Sequence, residues 1–289
     1  MLAVLLACAS AALFGGMAVA VRIALRRTDD PVLGSFATAT VALAVTTAIG
    51  IAATAGDSLH APDLWPFFLA GAIAPGLSQV LFTFAVNDAG AARTAVLMGT
   101  APLLSVLIAL VVLGEPLEGP LIAGAALIVA GGVALAGERV RPADFRRLGM
   151  VFALLATVMF ATRDNLLRWL AGNTDAHALV TAPVTLLAGT ATVGIYLVAS
   201  RGTAWAAGYG RTARLFLPAG LLFGLSYAAL FEAYYRGRVS VVSPLVATES
   251  LWGVLFAALF LRRSELVGRR LVLGAALIVA GGVVIGAWR

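Results

Sequence analysis

Few residues in this 289-residue sequence can do chemistry, and most of them stand inside long apolar runs. Glu249, Arg163, Asp164 and Tyr227 are the deepest of these, with Glu232, Trp252 and Gln79 in equivalent runs. Placing a charged side chain in such a run costs about 2.5 to 3.5 kcal/mol in a bilayer, so the acids and Arg163 are candidates for substrate binding or coupling, with Tyr227, Trp252 and Gln79 beside them. No basic residue lies within a helical turn of Glu249, so its carboxyl must be protonated or paired across helices, with Arg163 as the candidate partner. A carboxyl that is dry at one moment and hydrated at the next can take up and release a proton; it can also select an amine. Trp252 is three residues on and shares the face of Glu249, where it can stack on a solute or fill the core. Asp164 with Arg168 and Glu232 with Arg236 are spaced to pair along one helix. Glu115 and Glu265 fall in turns, where a carboxylate caps the next helix and faces its positive end; both are read as structural turn residues.

The remaining chemistry is largely excluded. All 20 basic residues are arginine, so neither a Walker A lysine nor a Schiff-base lysine exists. One cysteine (Cys8) and two loop histidines (His60, His177) make neither a zinc site nor a disulfide framework. No HExxH pair occurs. The expectation is a protein with no cofactor, no metal and no nucleic-acid partner, and not an enzyme.

Positioning those few residues falls to apolar helices. Hydrophobic residues are 61% of the chain and charged residues 12%, with a mean hydropathy of +1.00. A soluble domain is about half apolar and a quarter charged. A bilayer core needs about 20 apolar residues per helix, and ten runs of that length are present: Leu2–Leu25, Pro31–Ala55, Leu64–Val86, Ala92–Leu113, Gly119–Gly137, Leu148–Ala171, Ala178–Ser200, Thr212–Tyr235, Ser240–Leu261 and Gly268–Trp288. Leu5-Leu6-Ala7-Cys8 faintly resembles a lipoprotein cleavage box, but no basic residue precedes it and the run continues to Leu25, which predicts an uncleaved first helix. At about 1.5 Å of rise per residue, Glu249 lies roughly 14 Å from the end of the ninth run, Arg163 and Asp164 roughly 10 Å into the sixth, and Tyr227 about 12 Å into the eighth. Glu232 is shallower. All would face one vestibule.

An internal repeat organises the runs. Gly124–Val133 and Gly274–Val283 both read GAALIVAGGV, at an offset of 150, which also superimposes Glu115 on Glu265. At an offset of 146, Phe14, Arg22 and Asp29 fall on Phe160, Arg168 and Asp175. The reading is two halves of five helices, residues 1–137 and 148–289, joined by a cytoplasmic connector at 138–147. Five is odd, so the second half enters the membrane from the other side, as in secondary transporters with inverted repeats. First-half counterparts of the candidate residues are Met17, Ala18, Leu77, Phe82 and Gly99, all apolar or glycine, which leaves Gln79 as the deepest polar group there. Fifteen arginines flank the loops after the odd-numbered runs, whereas the other side carries Arg168, Arg236, Arg238 and Arg289. That bias predicts both termini outside the cytoplasm of a plasma-membrane protein.

The mid-run Pro102, the turn Gly114-Glu115, the copy at Ser264-Glu265 with Gly274, and the stretch Val239–Trp252 resemble the EamA type of the drug/metabolite transporter superfamily over the whole chain. The resemblance implies an all-α membrane fold of ten helices in two inverted repeats, and an exporter-like carrier of small metabolites. The substrate expected is amino-acid-like or amphipathic, with the lipid bilayer and, through Glu249, a proton as further partners. A flippase for a lipid-linked substrate and a non-transporting receptor or assembly subunit are the alternatives.

Overall fold

The computed structural model describes residues 1–55, 64–101, 103–104, 119–136, 144–237, 239–261 and 265–288. Glu115, His60, Pro102 and most of the 138–147 connector lie outside them. Apolar side chains and a hydrocarbon surrounding leave backbone N–H and C=O groups no partner but each other, so the chain folds as helices. These are α1 (Leu2–Leu25), α2 (Pro31–Ala53), α3 (Trp65–Gly71), a π-helical segment (Ala72–Leu77), α4 (Ser78–Ala89), α5 (Ala91–Met98) and α6 (Gly119–Ala136). The second half supplies α7 (Leu148–Asn173), α8 (Ala178–Arg201), α9 (Ala206–Arg236), α10 (Val239–Val246), α11 (Glu249–Phe260) and α12 (Arg269–Trp288). Among the described residues, six helical stretches are long and apolar enough to cross a membrane: α1, α2, the α3–α4 stretch, α7, α8 and α9.

Three expected runs are not single regular helices. The third breaks at Ala74, inside the π-helical segment, where the backbone (φ −138, ψ 111) leaves the helical region just before Pro75. Proline lacks the N–H and crowds the preceding turn, so the ladder is displaced there. The ninth run divides into α10 and α11 around Ala247 and Thr248. In the fourth, α5 ends at Met98 before a turn at Gly99 and Thr100, and helix resumes at Ala101. Glu249 therefore starts a short helix rather than sitting in the middle of a long one.

Helices of the two halves interleave: α1 packs on α9, α9 on α2, α2 on α8 and α4 on α7. Phe14 of α1 anchors the centre, with ring centroids 5.3 Å from Phe82, 6.0 Å from Phe160 and 6.3 Å from Phe223. Several buried hydroxyls are satisfied inside their own helices: Thr38, Thr83 and Thr157 donate to the carbonyls of Gly34, Gln79 and Ala153. The repeated segments lie face to face. A Cβ on Gly131 would meet the Gly274 carbonyl at 2.7 Å, and one on Gly281 would meet the Gly124 carbonyl at 2.6 Å. Small residues allow this backbone approach. Gly220 and Gly224 do the same for α9 against Val41 and Val45 of α2.

At a helix start, Asp30 caps α2 by accepting from the Leu33 N–H (3.0 Å) and also pairs with Arg201. Burial alone would raise its carboxyl, but Arg201 and the Leu33 N–H outweigh that and hold it below its ordinary value. The carboxylate's contribution to stability is thus present at neutral pH and is lost as pH falls through that lowered pKa.

Candidate functional site

Helices α1, α5, α7, α9, α10 and α11 enclose a cavity of about 40 Å³, room for a few waters or an ammonium-sized group. The first half contributes Ser10, Phe14, Met98 and Ala101 to its wall; every charged lining residue comes from the second. Ser10 and Ser226 tie α1 to α9 by donating to each other's backbone carbonyls, at 3.0 and 2.9 Å.

Arg163 and Asp164 are neighbours on α7 and pair with each other. The Arg163 Nε and Nη2 donate to Asp164 Oδ1 at 2.9 and 2.5 Å. The same guanidinium lies over the rings of Phe160 (4.8 Å) and Tyr227 (5.1 Å). Tyr234 donates its hydroxyl to Asp164 Oδ2 at 3.4 Å. The expected partner of Asp164, Arg168, instead donates to the Tyr234 carbonyl at 3.2 Å. Nor does Arg163 neutralise Glu249. That carboxyl is 7% exposed, lines the cavity, and has no hydrogen-bond or ion-pair partner among the described residues. Its place at the first position of α11 sets it at the positive end of a helix broken inside the protein.

Glu249, Arg163, Asp164 and Tyr227 are thus brought together, and three other sequence candidates are placed elsewhere. Trp252 stacks on Phe256 (5.6 Å between centroids) and crowds Gly15 of α1, so it serves the contact between α1 and α11. Glu232 pairs with Arg236 one turn on. Gln79 is fully buried on α4 just past the π-helical segment, with neither amide atom hydrogen-bonded. The Ser10–Ser226 pair in the cavity wall, and Tyr234 behind Asp164, are features that sequence reasoning missed; nothing local to α9 marks which of its tyrosines turns inward.

A second buried cluster lies away from this cavity. Glu265 was expected to cap the helix that follows it, but its Oε1 accepts from the Ala91 N–H of α5 at 2.9 Å, in the other half of the chain. Arg22 Nε is 3.4 Å from Oε1, and Arg93 Nη1 is 3.7 Å from Oε2 and donates to the Glu265 carbonyl oxygen at 2.9 Å. Gly90 makes the approach possible: its φ of +94 suits glycine, and a Cβ there would lie 2.3 Å from Glu265 Oε2. Arg22 also donates to the Asn87 carbonyl at 2.5 Å and pairs with Asp144 of the connector.

Comparison with known proteins follows from this geometry. No curated protein matches the sequence. Among solved structures, 25 chains match. One of them, described only as a crystal structure of a protein, shares 24% identity over 98% of this chain and 94% of its own, with a TM-score of 0.67. That likeness concerns the fold. Residues 1–136 match the model of the EamA-like transporter family. Apolar helices long enough to span and this match agree: residues 1–136 are similar to the EamA-like transporter family, of the drug/metabolite transporter type, and the chain is a multi-pass membrane protein.

Proposed function

We propose that the chain is a secondary transporter that exports a small metabolite by alternating access, with Glu249 coupling solute movement to a proton. In this reading ten helices form two inverted repeats, 1–137 and 148–289, and the connector at 138–147 is cytoplasmic. The reciprocal contact of Gly124 with Gly281 and Gly131 with Gly274 supports a two-fold relation, since each position meets the other copy's partner position. Arg22 and Arg168 add to it, each donating to carbonyls near the end of the helix that precedes Gly90 or Gly237.

One observation carries the proposal: an unpaired, buried carboxyl at the start of a discontinuous helix, in a closed cavity walled by both halves. An apolar groove between α1, α9 and α11, lined by Leu13, Gly16, Leu222 and Phe256, runs along the protein's outer face. Such a groove by itself favours a lipid-linked solute, but it brings no polar group to a lipid head, whereas the cavity at Glu249 is polar and walled by both halves, which supports a soluble or amphipathic solute.

An export comparison between overexpressing and deletion strains identifies a solute to follow. In proteoliposomes under a pH gradient, Glu249→Gln is expected to lower gradient-driven flux of that solute by tenfold or more. Undiminished flux in the variant would remove Glu249 from the mechanism.

A further inference from the structure

We propose that the cavity at Glu249 receives the ammonium head of an organic monocation, a primary or secondary amine on an apolar or aromatic body. The inference rests on the transport reading and narrows it, since it sets aside zwitterionic amino acids and carboxylates as solutes for this site.

The count of charges decides. Asp164 is occupied by Arg163, which spends two N–H groups on one carboxylate oxygen and lies over the Phe160 and Tyr227 rings. That pair is neutral as a unit. Glu249 is left over, more than nine-tenths buried and open to the cavity, so the ionised site carries one uncompensated negative charge. Facing it are Arg163, Asp164 and Tyr227 from α7 and α9, with Tyr234 held on Asp164; Ser10 of α1 and Ser226 of α9 are neutral and bonded to one another. Met98 of α5 and Val246 of α10 bring no charge. A carboxylate solute would meet two carboxylates. A zwitterion's carboxylate would have only the N–H groups that Arg163 does not spend on Asp164, and it would set a third carboxylate around that one guanidinium and leave the occupied site with a net negative charge. An ammonium ion needs only Glu249, and the rings of Phe14, Phe160 and Phe223 offer its apolar body a wall. At about 40 Å³ the cavity admits the head alone, so the body enters only when the helices part. A proton and an ammonium ion compete for the same carboxylate, which suits exchange of one for the other.

The test is equilibrium binding of three probes with phenylalkyl bodies and charges of +1, 0 and −1: phenethylamine, phenylalanine and 3-phenylpropionate. The full chain is purified in detergent, and binding is read by calorimetry and by ligand-induced thermal shift. Phenethylamine is expected to bind saturably, more weakly as pH is lowered, and at least tenfold more weakly to Glu249→Gln. Glu249→Asp, which keeps the charge, is expected to retain the order of preference and so guards against a folding defect. Absence of phenethylamine binding, equal or tighter binding of either other probe, or an unchanged affinity in Glu249→Gln would overturn the proposal. No gradient is used, so the two readings fail separately. Glu249-dependent flux of an exported solute without amine binding removes the amine and leaves the transporter; amine binding without flux does the reverse.

Discussion

Two carboxylates reach Arg22, and burial gives them different weights. Glu265 is fully buried and Asp144 is 61% exposed. Removing one partner from a buried ionic cluster costs about 3 to 5 kcal/mol, because the remaining charge stays out of water. An exposed pair contributes about 0 to 1 kcal/mol. Glu265→Ala is therefore expected to lower the thermal unfolding midpoint in detergent sharply, and Asp144→Ala hardly at all. Glu265→Gln falls between them, since it keeps an acceptor for the Ala91 N–H and loses the charge. Equal shifts for Glu265→Ala and Asp144→Ala would show that the cluster does not hold the two halves together. This arrangement was not legible in the sequence: Glu265 stands in a turn with a helix close behind it, and the helix it caps begins 174 residues earlier. Glu249 was legible, because a carboxyl with no local cation in an apolar run announces its own cost. Its environment was not, because the Arg163 fork reaches the adjacent Asp164 first.

At the scale of elements, the glycines that appear alike in sequence divide by what they face. A side chain on Gly131 would strike the Gly274 carbonyl, whereas a Cβ on Gly132 meets nothing within 4 Å. Overpacking a tight contact costs about 1 to 3 kcal/mol, and glycine in an exposed helix position is less favourable than alanine by about 1 kcal/mol. Gly131→Val is expected to lower the unfolding midpoint and Gly132→Ala to leave it unchanged or raise it, as measured by thermal unfolding in micelles. By the reciprocity of the contact, Gly281→Val should match Gly131→Val. Helix positions were legible from apolar run length, and α1 begins and ends where the run does. The breaks at Ala74 and at Ala247–Thr248 were not. Proline marks the first at Pro75, but prolines also sit within the continuous helices α8 and α9, at Pro183 and Pro218. Whether a proline breaks a span depends on what satisfies the freed backbone groups, and that is decided by the neighbouring helices.

For the whole molecule, the placement of charge predicts which end faces the cytoplasm. Contacts sort the loops into two ends. Arg22, Asp88, Arg93, Asp144, Arg146 and Glu265 join through direct bonds, and Asp30 pairs with Arg201; all belong to loops that follow odd-numbered runs or to the helix ends beside them. Arg168, Glu232 and Arg236 gather around the ends of α7 and α9, in loops that follow even-numbered runs. The first group belongs to the side that carries fifteen of the 20 arginines. Orientation follows the arginine and lysine bias of short loops, with acidic residues contributing little, so the ion pairs within the first group do not weaken its signal. That end is expected in the cytoplasm and both termini on the opposite face. A carboxy-terminal alkaline phosphatase fusion, active only outside the cytoplasm, should be active, and a green fluorescent protein fusion at the same point should be dark; fluorescence with an inactive phosphatase would reverse the assignment.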